Sequence, residues 1–326
     1  MTYVAGLDVG ATNVRAAVAD ESGRIVERVK RPTPQTDIGI EVTEAVLDAF
    51  REVTAAADLD PTEIVAVGIG SIGPLDLADG VIGTPANLSQ KIEQIPLVGP
   101  IRNVVGHERV FLRNDATTGV VGERFYGERT PDNMVYLTIS SGIGAGVIVD
   151  GTLVRGWDGN AGEVGHMIVD AEGRRTCGCG RDGHWEAYAS GDNIPAYARD
   201  LADRLDVETD LPLSDPEFSA VDVYDATDDP LAEAVRTKVT EWNVVGVANV
   251  IQAYAPFVVA VGGSVAVENP ETVVQPLIDD VPDEVFVNVP EIRLTKFGDD
   301  VVLRGAIALA ITNSQSGGSP LSAGGR

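Results

Sequence analysis

Apolar residues in this chain fall into short unbroken runs separated by glycine-rich turns. Residues 3–8 (Tyr-Val-Ala-Gly-Leu-Asp), 14–19 and 24–30 predict three strands, the first two joined by Val9-Gly10-Ala11-Thr12-Asn13. The design recurs at 135–139 and 145–149, around Ser140-Ser141-Gly142-Ile143-Gly144. Two such hairpins point to two halves built alike, each presenting a turn to a shared cleft; two unrelated hairpins in a chain with 36 glycines are the plain alternative. Further strands are expected at 64–69, 110–112, 257–261, 285–289 and 292–296. Helical spacing marks 38–57, where Ile38, Val42, Val46, Ala49, Phe50 and Val53 share a face. It also marks 116–125, 187–205, 231–253, a helix from about Pro270, and 302–311. Asp115 is placed to cap the helix at 116. Residues 206–229 read as an acidic surface excursion. The Gly/Ser-rich tail 314–326 reads as disordered.

The helix–strand distinction decides what the first glycine turn can do. A P-loop or dinucleotide fingerprint needs a helix after its glycines, and here a strand follows. An Asp-x-Gly-x-Thr hairpin can still hold a phosphate on backbone N–H groups around Gly10 and Thr12, with Asp8 reaching magnesium through water. An ordinary hairpin turn with a strand-end aspartate reads the same way. Two more strand ends carry polar turns. Gly70-Ser71-Ile72-Gly73-Pro74-Leu75-Asp76 follows one strand, where α/β folds place ligands. Gly262-Gly263-Ser264 follows another and could approach a nucleotide base or ribose. Asn114-Asp115 closes the strand at 110–112, leaving Asp115 either a helix cap or a strand-end catalytic base.

Composition narrows the class. The 326 residues, 44% of them hydrophobic, suffice for one large or two ordinary domains. No apolar run reaches membrane-spanning length, and the first residues lack a signal-peptide pattern. A cytoplasmic protein is expected. Net charge is −26, with 50 acidic and 24 basic residues, only four of them lysine (Lys30, Lys91, Lys238, Lys296). That field repels nucleic acid and anionic membranes. An acid-rich, lysine-poor surface resembles those of proteins from high-salt cytoplasm.

Both cysteines and two of the three histidines lie close together: His166, Cys177, Cys179 and His184. Two thiolates and two imidazoles suit tetrahedral zinc, with no ligand obviously spare for an open position, so such a zinc would be structural. A free cysteine pair in a loop beside unrelated histidines is the plain alternative. With zinc, the loop would position Glu163, His166 and Glu186.

Together these motifs resemble the ROK family of sugar kinases, within the actin/sugar-kinase superfamily, over residues 3 to about 311. Asp8-Val9-Gly10-Ala11-Thr12-Asn13 and Ser141-Gly142-Ile143-Gly144-Ala145-Gly146 are similar to the family's two phosphate hairpins. Gly70–Asp76 resembles its sugar loop, Asn114-Asp115 its strand-end pair, and Gly262-Gly263-Ser264 its adenosine-side turn. Ala161-Gly162-Glu163-Val164-Gly165-His166 with the cysteine knuckle resembles its signature. The chain departs from the family at His184 (a third knuckle cysteine), Ile72 (a proline) and Ser140-Ser141 (Gly-Thr). A first hairpin beginning at Asp8 leaves no room for the helix-turn-helix of the family's repressors.

The resemblance implies an α/β, two-lobed, actin-like (ribonuclease H-like) ATPase fold with a cleft between lobes. The smaller lobe would be 1–115 plus about 303–326, and the larger 116–302 with the knuckle. It implies ATP-dependent phosphorylation of a hexose, glucose first, with Asp115 as general base. A kinase for fructose, mannose or an N-acetylated hexosamine, or a non-catalytic sugar-binding protein, are the other readings. Gly73, Asn87, Asn114, Glu163, His166 and Glu186 would meet the sugar. Asp8, Gly10, Ala11, Thr12, Asn13, Ser141, Gly142, Gly262 and Gly263 would hold ATP and Mg2+. Zn2+ would sit on His166, Cys177, Cys179 and His184. A homodimer or higher homo-oligomer is implied, with neither nucleic acid nor membrane as partner.

Overall fold

The computed structural model describes residues 2–85, 88–89 and 91–315. The chain divides into two compact units. Unit 1 gathers residues up to Thr130, Trp157–Gly159 and the chain from Asp300; unit 2 holds Pro131–Gly156 and Asn160–Asp299.

In unit 1, β1 (Tyr3–Val9), β2 (Asn13–Asp20) and β3 (Ile25–Pro32) form an antiparallel meander. Helix α1 (Gly39–Ala56) leads to β4 (Ile64–Ser71), which pairs parallel with β1. A small sheet follows, made of β5 (Leu75–Asp76), β6 (Val81–Ile82) and β7 (Ile95–Pro96). Then come α2 (Val98–Val105), β8 (Val110–Asn114) and α3 (Asp115–Tyr126). The main sheet runs β3-β2-β1-β4-β8. β1 and β4 are buried almost end to end, as strands covered on both faces must be. Their registers align the carboxyl ends: Asp8 pairs with Gly70, Gly70 with Arg113, and Ser71 with Asn114.

Unit 2 repeats the plan. β9 (Met134–Ile139), β10 (Ile143–Val149) and β11 (Thr152–Leu153) are antiparallel, while β12 (Val258–Gly262) and β13 (Glu291–Leu294) join parallel to β9. The order β11-β10-β9-β12-β13 is that of unit 1, element for element. Between β11 and β12 lie α4 (Glu186–Ala189), α5 (Ile194–Ala202), α6 (Ala220–Asp225) and α7 (Pro230–Tyr254). Helices α8 (Ser264–Glu268) and α9 (Pro270–Glu284) precede β13, and α10 (Val301–Gln315) returns to unit 1.

Several elements differ from expectation. Residues 285–289 form no strand, and Phe286 stands 96% exposed. The helix expected over 187–205 is two, broken at Ser190–Asn193. The acidic excursion is anchored, because Leu211, Phe218 and Val223 insert into the unit 2 core and α6 carries a Ser219–Asp222 capping box. Ile38 is exposed outside α1, whose buried face begins at Val42. The helix before β13 is preceded by a separate short turn of helix at Ser264. Asn114, not Asp115, caps α3. Unit 1 also extends to Thr130, past the expected boundary at 115, since α3 packs flush on α10: a Cβ at Gly305 would lie 1.9 Å from the Thr118 carbonyl oxygen. A Cβ at Gly68 would likewise lie 2.0 Å from the Ala306 oxygen, so β4 and α10 meet backbone to backbone. The tail from residue 316, expected to be disordered, lies outside the described residues.

Candidate active site

The carboxyl ends of β1, β4 and β8 bring Asp8, the Gly70–Asp76 loop and Asn114-Asp115 together in unit 1. Asn114 Oδ1 accepts the Ala116 N–H at 2.9 Å and so caps α3. Its amide nitrogen faces Gly73, where an added Cβ would lie 3.8 Å away. With the cap supplied by its neighbour, Asp115 stands at the first helical position, half-buried, one carboxylate oxygen 2.7 Å from the Ala116 nitrogen. Asn87 lies outside the described residues. Asp8 is 5% exposed and pairs at 2.9 Å with Arg15, its register partner on β2. Arg15 was not singled out in the sequence, although an arginine opposite the aspartate across a hairpin is a legible signal.

The first glycine turn departs from expectation in detail. The Gly10 N–H donates to the Asn13 carbonyl at 3.0 Å and closes the hairpin, so it is not an anion donor. The carbonyls of Gly10, Ala11 and Thr12 accept from the Thr33 hydroxyl (2.7 Å), Gln35 Nε2 (3.0 Å) and the Thr33 N–H (2.9 Å). In a trans peptide the next N–H points opposite the carbonyl. The amides of Ala11, Thr12 and Asn13 therefore point away from the donors that hold those carbonyls.

In unit 2, the second turn closes through the Ser140 N–H on the Gly142 carbonyl, 2.9 Å. It is tied to the third by a 2.9 Å bond between the Ser140 and Ser264 hydroxyls. Gly263, at φ +88°, lies against Ile139, where a Cβ would come 2.4 Å from the carbonyl oxygen. Glu186 Oε2 accepts the Ile143 N–H at 3.0 Å, so this carboxylate is joined to the second turn. Asp192, which sequence reasoning passed over, donates its N–H to the Ser141 carbonyl at 3.2 Å. Burial, then the Glu186 carboxylate, push its carboxyl pKa up.

The loop before α4 brings His166, Cys177, Cys179 and His184 together. Their ligand atoms all lie within 4.8 Å of one another. Cys177 Sγ is 3.7 Å from His166 Nδ1, and Cys179 Sγ is 3.3 Å from His184 Nδ1. A tetrahedron of zinc–sulfur and zinc–nitrogen bonds has edges of about 3.3–3.8 Å; these two separations lie in that range, and two thiols with two imidazoles are a donor set that suits zinc. His166 Nε2 points elsewhere, 3.9 Å from Glu163. Burial raises the Glu163 pKa, partly offset by His166. Burial also pushes the Cys177 thiol up to about 11.

Three features shape this loop. Gly183, at φ +76°, lets the chain pass Asp170, whose carbonyl oxygen would be 2.1 Å from a Cβ. Asp170 accepts from the Tyr188 hydroxyl at 2.6 Å and from the Glu172 and Arg174 amides at 3.1 Å each. Trp185, between His184 and Glu186, is wholly buried against Gly246 of α7 and donates to Asn243 at 2.9 Å.

A twice-used β-β-β-α-β plan with polar turns at the strand ends defines the two-lobed, actin-like α/β class. Residues 4–313 match the ROK family, and the chain belongs to it. It is 37% identical over 313 residues to a glucokinase of Pyrobaculum calidifontis, covering 95% of each chain. Among solved structures it is similar to a ROK hexokinase from Thermus thermophilus, at TM-score 0.81 and 31% identity over 97% of this chain and 100% of that one. It is also similar to a ROK glucokinase from Streptomyces griseus in complex with glucose and AMPPNP, at TM-score 0.76 and 28% identity over 95% and 99%.

Proposed function

We propose that this chain is an ATP-dependent hexose kinase that converts glucose to glucose 6-phosphate, with Asp115 as general base. The observation that carries the reading is the end of β8: Asn114 is the N-cap of α3, and the half-buried Asp115 carboxylate, which shares the Ala116 N–H with it, stands at the first helical position beside the Gly70–Asp76 loop. The relatives named glucokinase supply the substrate pair. In the step proposed, Asp115 takes the proton of the sugar hydroxyl as its oxygen bonds to the γ-phosphorus and the bond to ADP breaks.

The other residues position the reactants, which is most of what phosphoryl transfer asks of a protein. The Ala11, Thr12 and Asn13 amides and the Ser141-Gly142 turn hold phosphate oxygens, and Gly262-Gly263 lie on the adenosine side. Asn114, Gly73, Glu163 and His166 meet the sugar; Asn87 is assigned with them by resemblance alone. Glu186 serves through the Ile143 amide as well as toward the sugar. Asp8, paired with Arg15, would hold Mg2+, which would supply charge neutralisation at the phosphates. His166, Cys177, Cys179 and His184 would hold a structural zinc that fixes the loop carrying Glu163 and Glu186. The reading implies a cytoplasmic enzyme, a homodimer by resemblance. Its acidic surface calls for assay at high as well as low salt.

A panel of hexoses with ATP tests the substrate, since a polar site rejects sugars lacking a hydroxyl it binds. Asp115→Ala should retain glucose binding by calorimetry and lose turnover by about a hundredfold or more. Near-normal turnover would remove Asp115 as the base.

A further inference from the structure

Three consecutive carbonyls of the first glycine turn are held by one short stretch of chain just beyond β3. The Thr33 hydroxyl donates to the Gly10 carbonyl at 2.7 Å, Gln35 Nε2 to that of Ala11 at 3.0 Å, and the Thr33 N–H to that of Thr12 at 2.9 Å. Gln35 Nε2 also donates to the Thr33 carbonyl at 3.2 Å, so the two clamping residues are tied to each other. Thr33 is buried and Gln35 exposed. A planar trans peptide carries its N–H opposite its C=O, so fixing these carbonyls fixes the direction of the Ala11, Thr12 and Asn13 N–H groups. A peptide plane that flips in so short a turn exchanges a donor for an acceptor, and an acceptor repels a phosphate oxygen. Donors oriented beforehand need no reorganisation when the anion arrives.

Unit 2 repeats the arrangement with other donors. At the second turn the Gly191 N–H holds the Ser140 carbonyl at 2.7 Å, and the Asp192 N–H holds that of Ser141 at 3.2 Å. Consecutive carbonyls are thus pinned from outside the turn in both units. In unit 2 the donors are backbone groups; in unit 1 two side chains share the task, and side chains can be changed.

From this we infer that Thr33 and Gln35 are positioning residues for the nucleotide: through the first turn they orient the backbone donors that meet the phosphates of ATP. The inference rests on the kinase reading and adds to it two residues that act through the turn. Isothermal titration of the full chain with ATP and Mg2+, and separately with glucose, tests it. Loss of either side-chain donor should raise the ATP Kd by about threefold to tenfold, the worth of an ordinary hydrogen bond. Thr33→Val removes the hydroxyl at nearly constant shape, and Thr33→Ser restores it. Gln35→Met keeps the length of an exposed side chain and deletes its donor, so it tests the inference even where Thr33→Val folds poorly. The glucose Kd should be unchanged in all three, and in turnover the ATP KM should rise more than kcat falls. Thr36→Ala is the control: that hydroxyl accepts the Ile38 N–H at 3.1 Å, within the same stretch, and its loss should leave the ATP Kd unchanged. An ATP Kd unchanged in both Thr33→Val and Gln35→Met would overturn the inference while the kinase reading stands. So would a rise that Thr33→Ser fails to reverse, that Thr36→Ala matches, or that the glucose Kd follows. A wild type that binds no ATP would remove the kinase reading, and the inference with it.

Discussion

Removing the side-chain acceptor of Trp185 should loosen the loop of Cys177, Cys179 and His184 from a distance. Trp185 is 0% exposed and Asn243 2%, and their 2.9 Å bond is the indole's link to α7. Asn243→Leu keeps the side-chain bulk and deletes the acceptor, leaving a buried N–H unsatisfied at a cost of about 1–3 kcal/mol. For a unit of this size each kcal/mol lowers Tm by about 2–4 °C, so a fall of about 2–12 °C is expected in calorimetry. A double-mutant cycle sharpens the test. Trp185→Phe should cost about 1 kcal/mol less in the Asn243→Leu background than in the wild type, because the N–H is then already unpartnered. Because His184 and Glu186 flank Trp185 in sequence, the glucose KM should rise more than kcat falls. An unchanged Tm together with a coupling energy near zero would refute the reasoning.

Three further outcomes are expected. The purified protein should carry one zinc per chain by elemental analysis, and chelation or Cys177→Ser should raise the glucose KM; a metal-free protein with unchanged KM would contradict the Cys2His2 site. Gly142→Ala places a Cβ 2.8 Å from Glu186 Oε2 and displaces it from the Ile143 N–H, so Tm should fall by a few degrees while the ATP KM rises, whereas Gly263→Ala, strained at φ +88° against Ile139 backbone, should lower Tm more. Burial pushes the Asp170 pKa up, but the Tyr188 hydroxyl and the Arg174 and Glu172 amides outweigh it and hold the carboxyl below its ordinary 3.8. Its stabilisation is therefore full above that value and is lost as pH falls through it toward the folded pKa, so Tm against pH below about 5 should be flatter in Asp170→Asn than in the wild type.

The elements that sequence pattern located best are those whose apolar runs are buried on both faces. β1, β4, β9 and β12 fall within one or two residues of expectation, because continuous burial and a glycine turn leave little choice of register. The knuckle was legible for a different reason: its chemistry is carried by rare residue types close together. Long-range satisfaction of polar groups was not legible. Which of Asn114 and Asp115 caps α3 depends on side-chain geometry that both can adopt in sequence. The engagement of the Gly10 amide depends on local turn geometry, and the orientation of the next three amides depends on Thr33 and Gln35, twenty or more residues away. The failed strand at 285–289 has the β-branched composition of a strand but lies outside the paired ladder of β12, which meets β13 only from Glu291.

The repeated sheet order lets corresponding strand ends be compared within each unit. β1 and β9 each run into a glycine turn and return antiparallel as β2 and β10, and in both cases the turn closes on its own carbonyl. Divergence begins at the parallel partners. β4 ends in the Gly70–Asp76 loop and β8 in Asn114-Asp115, so unit 1 carries two polar strand ends beside its turn. β12 ends in the Gly262-Gly263-Ser264 turn, joined to the second hairpin by the Ser140–Ser264 bond, and β13 ends in Leu294 with no matching acidic residue. Unit 2 acquires its carboxylates from the insertion between β11 and α5, where Glu186 reaches the Ile143 amide and Asp192 the Ser141 carbonyl. One repeated sheet plan thus carries Asn114-Asp115 at a strand end in one unit and, in the other, carboxylates beside the loop that gathers His166, Cys177, Cys179 and His184. That asymmetry makes disruption of the loop a test of substrate affinity, and replacement of Asp115 a test of chemistry.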